Sequence, residues 1–292
     1  MSAANPSARV AFQGERGAFS EEAAVKLLGD KIELVPRLTF EALFSAVSEG
    51  AADCALAPIE NSLAGSIHRS FDLLLESQLQ ITAEVIIPII HNLIGAPGAS
   101  LDQIATVESH PVALAQCEDF FRAHPHMKRI ATEDTAGSVR QVVRQGDPSR
   151  AAIAGKLAAE LYGGKILREH LEDHRENYTR FILLVRSPEL SDRADKLSLV
   201  MQVAHLPGAL HRALGVFARR GTNLLKIESR PIPGRPWQYR FYLDLEASLR
   251  DPGTQAALHE LKECTDRVRI LGCYPAHHDS PENSQRKEQT IP

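Results

Sequence analysis

Short apolar runs that alternate with helical patterns, from the N-terminus to about residue 187, constrain the fold of this chain more than any other feature. Residues 9–12, 53–57, 104–108, 128–131 and 181–185 read as strands and helices fill the gaps, the signature of a parallel or mixed sheet covered by helices. The polar stretch 187–196, with Pro188 and several charges, reads as a linker. A different pattern follows. Residues 197–203 alternate as a strand, Leu210, Leu214 and Phe217 share a helical face closed by Gly221, and residues 223–228 read as a second strand. After a Pro-Gly-rich loop at 231–236, Tyr239, Phe241, Leu243 and Leu245 alternate, and a helix at 257–264 and a strand at 268–272 complete βαββαβ, the ferredoxin-like order. Residues 276–292 carry almost nothing to bury and are expected to be disordered.

At 292 residues, two domains are the default expectation. A net charge of -4 and a pI near 6.3, with basic residues not gathered into a stripe, argue against nucleic acid as a partner. Residues 1–9 lack the charged start and apolar core of a signal peptide, so export is not indicated. The most apolar stretch, 85–94, is interrupted by Pro88, His91 and Asn92 and is too short to cross a bilayer. No membrane association is expected, and the location expected is cytoplasmic. Cys54, Cys117, Cys264 and Cys273 show no C-x-x-C spacing and read as reduced structural thiols. Neither His124-Pro125-His126 nor His277-His278 has a carboxylate or thiolate at ligand spacing, so no metal is expected.

Four junctions in the first region share one design: a strand ends, small polar residues follow, and a helix starts. They are residues 13–20, 60–66, 109–111 and 133–138. The crevice beyond strand carboxyl ends attracts anions through exposed helix N–H groups, so an anionic small molecule is the natural guest. Taken singly, Ser20, Ser62 and Thr135 also suit helix caps, and Pro111 suits a first helical turn. The Gly14-x-x-Gly17 loop lacks the lysine of a P-loop and the third glycine of a dinucleotide fingerprint, so no nucleotide cofactor is implied. Asn177-Tyr178-Thr179-Arg180-Phe181 places amide, hydroxyl and guanidinium at the entrance of an apolar strand. There Arg180 suits either a bidentate carboxylate pair or a surface ion pair.

With Pro58-Ile59-Glu60-Asn61-Ser62, Ser109-His110-Pro111, Gln116-Cys117, Glu133-Asp134-Thr135-Ala136-Gly137 and Asn177-Tyr178-Thr179-Arg180-Phe181 in this order, the chain resembles the prephenate dehydratase family. Gly208-Ala209-Leu210 and Glu228-Ser229-Arg230-Pro231 resemble the phenylalanine-binding motifs of that family's ACT regulatory domain, and the likeness runs to Leu271-Gly272-Cys273-Tyr274-Pro275. Ala18, Val112 and His211 depart from the commoner family residues.

The resemblance implies an α/β fold: a catalytic domain at 8–187 made of two lobes, like a periplasmic binding protein, with the active site between them, then a ferredoxin-like ACT domain at 195–275. It implies a lyase that converts prephenate to phenylpyruvate, carbon dioxide and water without cofactor or metal, in phenylalanine biosynthesis, with L-phenylalanine as feedback effector. Arogenate dehydratase is the nearest alternative, and a non-catalytic amino-acid sensor is a more distant one. Thr179 is implied as the catalytic hydroxyl, with Glu133 and Asn61 beside it. Arg180, Phe181, Asn177, Glu60, Ser62, Ser109, His110, Gln116, Thr135, Ala136 and Gly137 are implied to bind substrate. Gly208, Ala209, Leu210, Asn223, Glu228, Ser229, Arg230 and Pro231 are implied to bind the effector. No chorismate mutase helix precedes this region, which reads as monofunctional, and the implied assembly is a homodimer or homotetramer.

Overall fold

The structure is a computed structural model that describes residues 7–277; the expected disordered tail, apart from Ala276 and His277, and the second histidine of the His277-His278 pair lie outside the described residues. The chain divides into two compact units. One holds the chain up to Gln78 together with Val85–Arg186, and the other holds Leu79–Glu84 with the chain from Ser187 onward.

The first unit has two α/β lobes. Its elements, in chain order, begin with β1 (Ala8–Gln13), α1 (Phe19–Leu28), β2 (Ile32–Arg37), α2 (Phe40–Ser48), β3 (Cys54–Asn61), the two-residue β4 (Gly65–Ser66), α3 (His68–Glu76) and, from Val85 on, the end of β5 (Gln80–Pro88). The second lobe follows with β6 (Asn92–Gly95), β7 (Thr106–Ser109), α4 (Pro111–Ala115), α5 (Glu118–Ala123), β8 (Lys128–Ala131), α6 (Thr135–Gln145), β9 (Arg150–Ala154), α7 (Lys156–Tyr162) and β10 (Lys165–Arg168). The chain then returns to the first lobe as β11 (Tyr178–Val185).

In the first lobe the order is β11–β3–β1–β2, with β1 parallel to β2 and β3 and β11 antiparallel to β3. Val10, Phe12, Leu43, Val47 and Leu56 are buried there. In the second lobe the order is β10–β6–β9–β7–β8. Its sheet is covered on both faces, because successive side chains of a strand point to opposite sides. Leu93, Ala151 and Ile153 join Phe120 and Phe121 in one core, while Ile94, Ala152 and Ala154 join Val139, Val142 and Ala158 in another.

The five strands read from the sequence are present, and β2, β4, β5, β6, β9 and β10 were not foreseen. The alanine-rich β9 has helical propensity, yet small side chains suit a strand sandwiched between two helical layers. The apolar stretch 85–94 divides into the end of β5, a crossover and the start of β6. The two crossovers between the lobes run side by side: Ile89 donates its N–H to the Asn177 carbonyl at 2.7 Å and Leu171 donates to that of His91 at 2.8 Å.

The second unit contains β12 (Lys196–Gln202), α8 (Ala209–Ala218), β13 (Leu224–Ile232), β14 (Arg235–Glu246), α9 (Pro252–Glu263) and β15 (Arg267–Tyr274), ordered β13–β14–β12–β15 with antiparallel neighbours. This is the ferredoxin-like arrangement. Residues 231–236 are not a loop: Pro231 and Ile232 end β13, Arg235 begins β14, and a two-residue turn joins them. Pro231 is tolerated because β13 lies at the sheet edge, where a missing N–H need not break a ladder. Ile81 of β5 pairs with Gly272 of β15, and the buried Lys196 Nζ lies 3.0 Å from both Glu84 carboxylate oxygens. This unit therefore takes a strand segment from far upstream in the chain.

Among the described residues, no helix is long and apolar enough to cross a membrane, and no group of three or more His, Cys, Asp or Glu is placed to hold a metal ion. All four cysteines are free. Burial pushes the Cys54 thiol up to about 11, away from the reactive thiolate.

Candidate active site

A cavity of about 350 Å³ lies in the first unit, lined by residues from both lobes. The first lobe contributes Gln13, Gly14, Phe19, Ser20, Pro58, Asn61, Ala64, Thr179 and Phe181, and the second contributes His110, Val112, Gln116, Glu133, Asp134 and Thr135. Three of the four junctions reach it as strand-to-helix turns. In the fourth, residues 60–66, β4 folds back against β3 before α3 starts, so that turn is a hairpin. Gly17 is required where it stands: its φ of +84° is left-handed, and a Cβ there would come within 2.9 Å of the Ala158 Cα, where the first-lobe loop meets α7. At the same contact Tyr162 donates to the Arg16 carbonyl at 2.8 Å and Arg140 pairs with Glu15 at 2.6 Å. Burial raises the Glu15 carboxyl against the opposing pull of Arg140.

Asn61 organises the floor. Its Oδ1 accepts the N–H groups of Leu63 at 3.0 Å and Ala64 at 2.8 Å. Backbone N–H groups only donate, so the amide orientation is fixed and Nδ2 faces the other way. Nδ2 donates to Asn177 Oδ1 at 2.8 Å and to Thr179 Oγ1 at 3.0 Å. With a lone pair of Thr179 occupied in this way, its O–H is left to donate, and Thr179 is buried at the cavity wall. Asn177 in turn directs Nδ2 to Gln116 Oε1 at 3.0 Å, and Gln116 Nε2 approaches Asn61 Oδ1 at 3.4 Å. Four polar side chains from β3, β11, its entry and the end of α4 thus form one connected set.

Of the residues singled out from the sequence, Thr179, Asn61, Glu133, Phe181, His110, Gln116 and Thr135 line the cavity. Asn177 stands behind the wall, wholly buried. Ser109 is also buried and donates to the Ile153 carbonyl at 2.6 Å, tying β7 to β9. Ser62 is not a helix cap; it donates to the Glu176 carbonyl at 2.7 Å and accepts from the Tyr178 N–H at 2.9 Å. Ser20 lies inside α1, whose cap is Ala18, and Thr135 follows the cap of α6, Asp134, which accepts from the Gly137 N–H at 2.7 Å. Ala136 and Gly137 belong to that first turn and do not line the cavity.

Arg180 and Glu60 are not among the lining residues either. They stand opposite one another across β11 and β3, and between Arg180 and Phe181 the register shifts. Thr179 and Phe181 take one face of the strand, which leaves Arg180 on the other. Among the described residues no Lys or Arg lines the cavity. His110 accepts from the Val112 N–H through Nδ1 at 3.3 Å, so in its neutral form its Nε2 carries the proton; burial lowers its pKa, with Asp134 acting against that. Ala18, Phe40, Ile67, Ile89, His91 and Ala113 complete the wall, and Phe40, Ile67, Ile89 and His91 had not been singled out for it. The apolar three offer no local signal, and His91 sits in a stretch whose apolar character drew the attention.

In the second unit a smaller cavity, about 160 Å³, is lined by Val203, Leu206, Ala209, Leu210, Tyr239 and Phe241 among others. Gly208 precedes α8 with a left-handed φ of +76°, natural for glycine. Ser229 and Pro231 pair with Phe241 and Tyr239 and share their side of the sheet, whereas Glu228 and Arg230, paired with Tyr242 and Arg240, face the opposite side. Asn223 donates to Glu246 at 3.3 Å. Of the effector set, only Ala209 and Leu210 line this cavity.

Residues 10–189 match the family described as Prephenate dehydratase, and residues 198–263 match the ACT domain. The chain is 44% identical over 283 residues to Arogenate dehydratase/prephenate dehydratase 1, chloroplastic, of Arabidopsis thaliana, covering 91% of this chain and 72% of that protein. It is 37% identical over 279 residues to the Bifunctional chorismate mutase/prephenate dehydratase of Enterobacter agglomerans, covering 94% and 72%. Among solved structures, prephenate dehydratase from Arthrobacter aurescens in complex with L-Phe superposes with a TM-score of 0.84 at 30% identity, over 97% of this chain and 99% of that one. GqqA, described as a novel type of quorum quenching acylase, gives 0.83 at 35% identity, over 94% and 99%.

Proposed function

The chain belongs to the prephenate dehydratase family, and we propose that its first unit converts prephenate to phenylpyruvate, carbon dioxide and water, with L-phenylalanine acting on its second unit. Thr179 carries this reading: a buried hydroxyl on the cavity wall whose oxygen is held by Asn61, so that its proton points to a bound molecule. When the ring carboxylate leaves as carbon dioxide, its electron pair enters the ring and expels the C4 hydroxyl, which takes up a proton and departs as water. The Thr179 O–H stabilises the charge that develops on that oxygen. Aromatisation drives the step, so the residues need only orient and protonate.

Gln116 and Thr135 offer polar contacts to the substrate, and the N-termini of α1 and α6 supply N–H dipoles for its carboxylates. Phe181 and Phe19 flank the ring. His110 and Glu133 are the titratable groups nearest to hand for the proton. Arg180 and Glu60 support the site by fixing the pairing of β11 with β3. Catalysis is assigned to residues 8–187 and regulation to residues 195–275, with phenylalanine received between the start of α8 and the Tyr239 and Phe241 side of the sheet. A cytoplasmic homodimer or homotetramer is proposed for the assembly.

The test is to incubate the purified protein with prephenate and a chelator, without nucleotide, and follow phenylpyruvate. Formation that phenylalanine suppresses is the expected result. Activity that returned only with a divalent ion would defeat the cofactor-free path.

A further inference from the structure

The amide chain that fixes Thr179 does not end at Gln116. Gln116 Oε1, which already accepts from Asn177 Nδ2, also lies 2.9 Å from His91 Nε2. An amide oxygen accepts only, so Nε2 must be the protonated nitrogen of His91, and in a neutral imidazole Nδ1 is then a bare lone pair. Burial, opposed by Gln116 and Glu172, lowers the His91 pKa and favours this neutral form. His91 is 2% exposed and lines the cavity, and Nδ1 has no hydrogen-bond partner among the described residues. A buried acceptor left this way is costly unless something that binds there donates to it.

The chemistry of the lining narrows what that donor is. Two acidic residues stand on the wall, Glu133 and Asp134, the latter with its carboxylate on the Gly137 N–H, and no Lys or Arg does. The keto oxygen on the side chain of prephenate only accepts, and gains nothing from a second acceptor. Arogenate carries an ammonium in its place, which donates and is positively charged. We propose that His91 is a specificity-determining residue, whose Nδ1 accepts an N–H from the ammonium of arogenate, so that this cavity takes the amino-acid substrate as well as prephenate. The inference rests on the dehydratase reading above. A site built to hydrogen-bond a substrate group rejects the analogue that lacks it, and here the lone pair favours the donor-bearing molecule.

The variants follow from the two ring nitrogens. His91→Gln keeps an amide N–H for Gln116 at the Nε2 position and removes the Nδ1 acceptor. His91→Phe keeps an aromatic ring beside Phe19, which it meets edge-on at a centroid distance of 5.8 Å. Steady-state kinetics on arogenate and prephenate, with thermal melts to establish folding, read the outcome. Expected is turnover of both substrates by the unaltered protein. In His91→Gln, the ratio of kcat/KM for arogenate to kcat/KM for prephenate should fall about tenfold or more, chiefly through KM for arogenate. Equal losses on both substrates in folded variants would overturn the assignment, because they would mark His91 as structural. Turnover of prephenate without arogenate by the unaltered protein would overturn it too, leaving the dehydratase reading intact. Turnover of neither substrate would remove both.

Discussion

Asn61 holds the Thr179 hydroxyl oxygen at 3.0 Å from an amide nitrogen whose own orientation is dictated by two backbone N–H groups. The threonine is thereby made a donor toward the cavity. Thr179→Val keeps the shape and removes the O–H; kcat should fall by about 10²–10⁴ with little change in KM, since the hydroxyl acts as charge develops on the leaving oxygen. Near-normal kcat in a folded Thr179→Val protein would end its role.

Arg180 separates two accounts of carboxylate binding. It stands opposite Glu60 and outside the cavity lining, so Arg180→Ala should change KM for prephenate by less than about threefold. A rise of tenfold or more with kcat preserved would mean that the guanidinium reaches the substrate.

Burial of His91 also links stability to pH. Its ordinary pKa of 6.5 is lowered in the fold, so as pH falls below 6.5 the unfolded chain takes a proton that the folded one resists. The stabilisation is present above 6.5 and is lost downward from there, with a slope of at most about 1.4 kcal/mol per pH unit for one group. Urea unfolding between pH 7.5 and 5.5 should show a shallower acid loss for His91→Gln than for the unaltered protein. Parallel curves would count against a buried neutral histidine.

The Lys196–Glu84 pair is nearly dry, with side-chain exposures of 11% and 2%. Lys196→Ala removes the counter-charge of a buried carboxylate that keeps the His277 N–H at 2.9 Å, and should cost about 3–5 kcal/mol in denaturant unfolding, whereas replacing both partners by Met and Leu should cost much less. A chain cut near Ser187 would likewise strip Glu84 of its lysine.

Gly208→Ala is the gentler probe of regulation. The left-handed backbone strains an alanine by about 1 kcal/mol, and its Cβ would meet the movable Arg212 guanidinium at 3.2 Å. Dehydratase activity should persist while the phenylalanine concentration for half-inhibition rises several-fold. An unchanged inhibition curve would move the effector away from the start of α8.

What the sequence made legible followed from local rules. The ferredoxin-like unit showed because its strands alternate and its helices keep one apolar face, so β12, α8, β14 and β15 stand within a few residues of where the pattern put them. The alanine-rich β9 and the short β6 were hidden, because a strand covered on both faces lacks alternation and its neighbours lie far off in the chain. Polar motifs pointed to Thr179, Asn61 and Gln116, which the fold brings to the cavity wall. Arg180 lies outside the cavity lining, because adjacent residues of a strand point to opposite faces and its neighbours Thr179 and Phe181 take the cavity side. His91 could not be ranked by eye at all. Its meaning depends on Gln116, 25 residues away, and on Asn177, 86 residues away.

The side-by-side crossovers have one more consequence. His91 lies on the outgoing one and Asn177 on the returning one, while Asn61 belongs to the first lobe and Gln116 to the second. The groups that set the Thr179 hydroxyl are therefore drawn from both lobes and from both crossovers. The longest link among them, 3.4 Å, joins Gln116 of the second lobe to Asn61 of the first. The setting of a hydroxyl in one lobe thus draws on a side chain of the other, through Asn177 and Asn61.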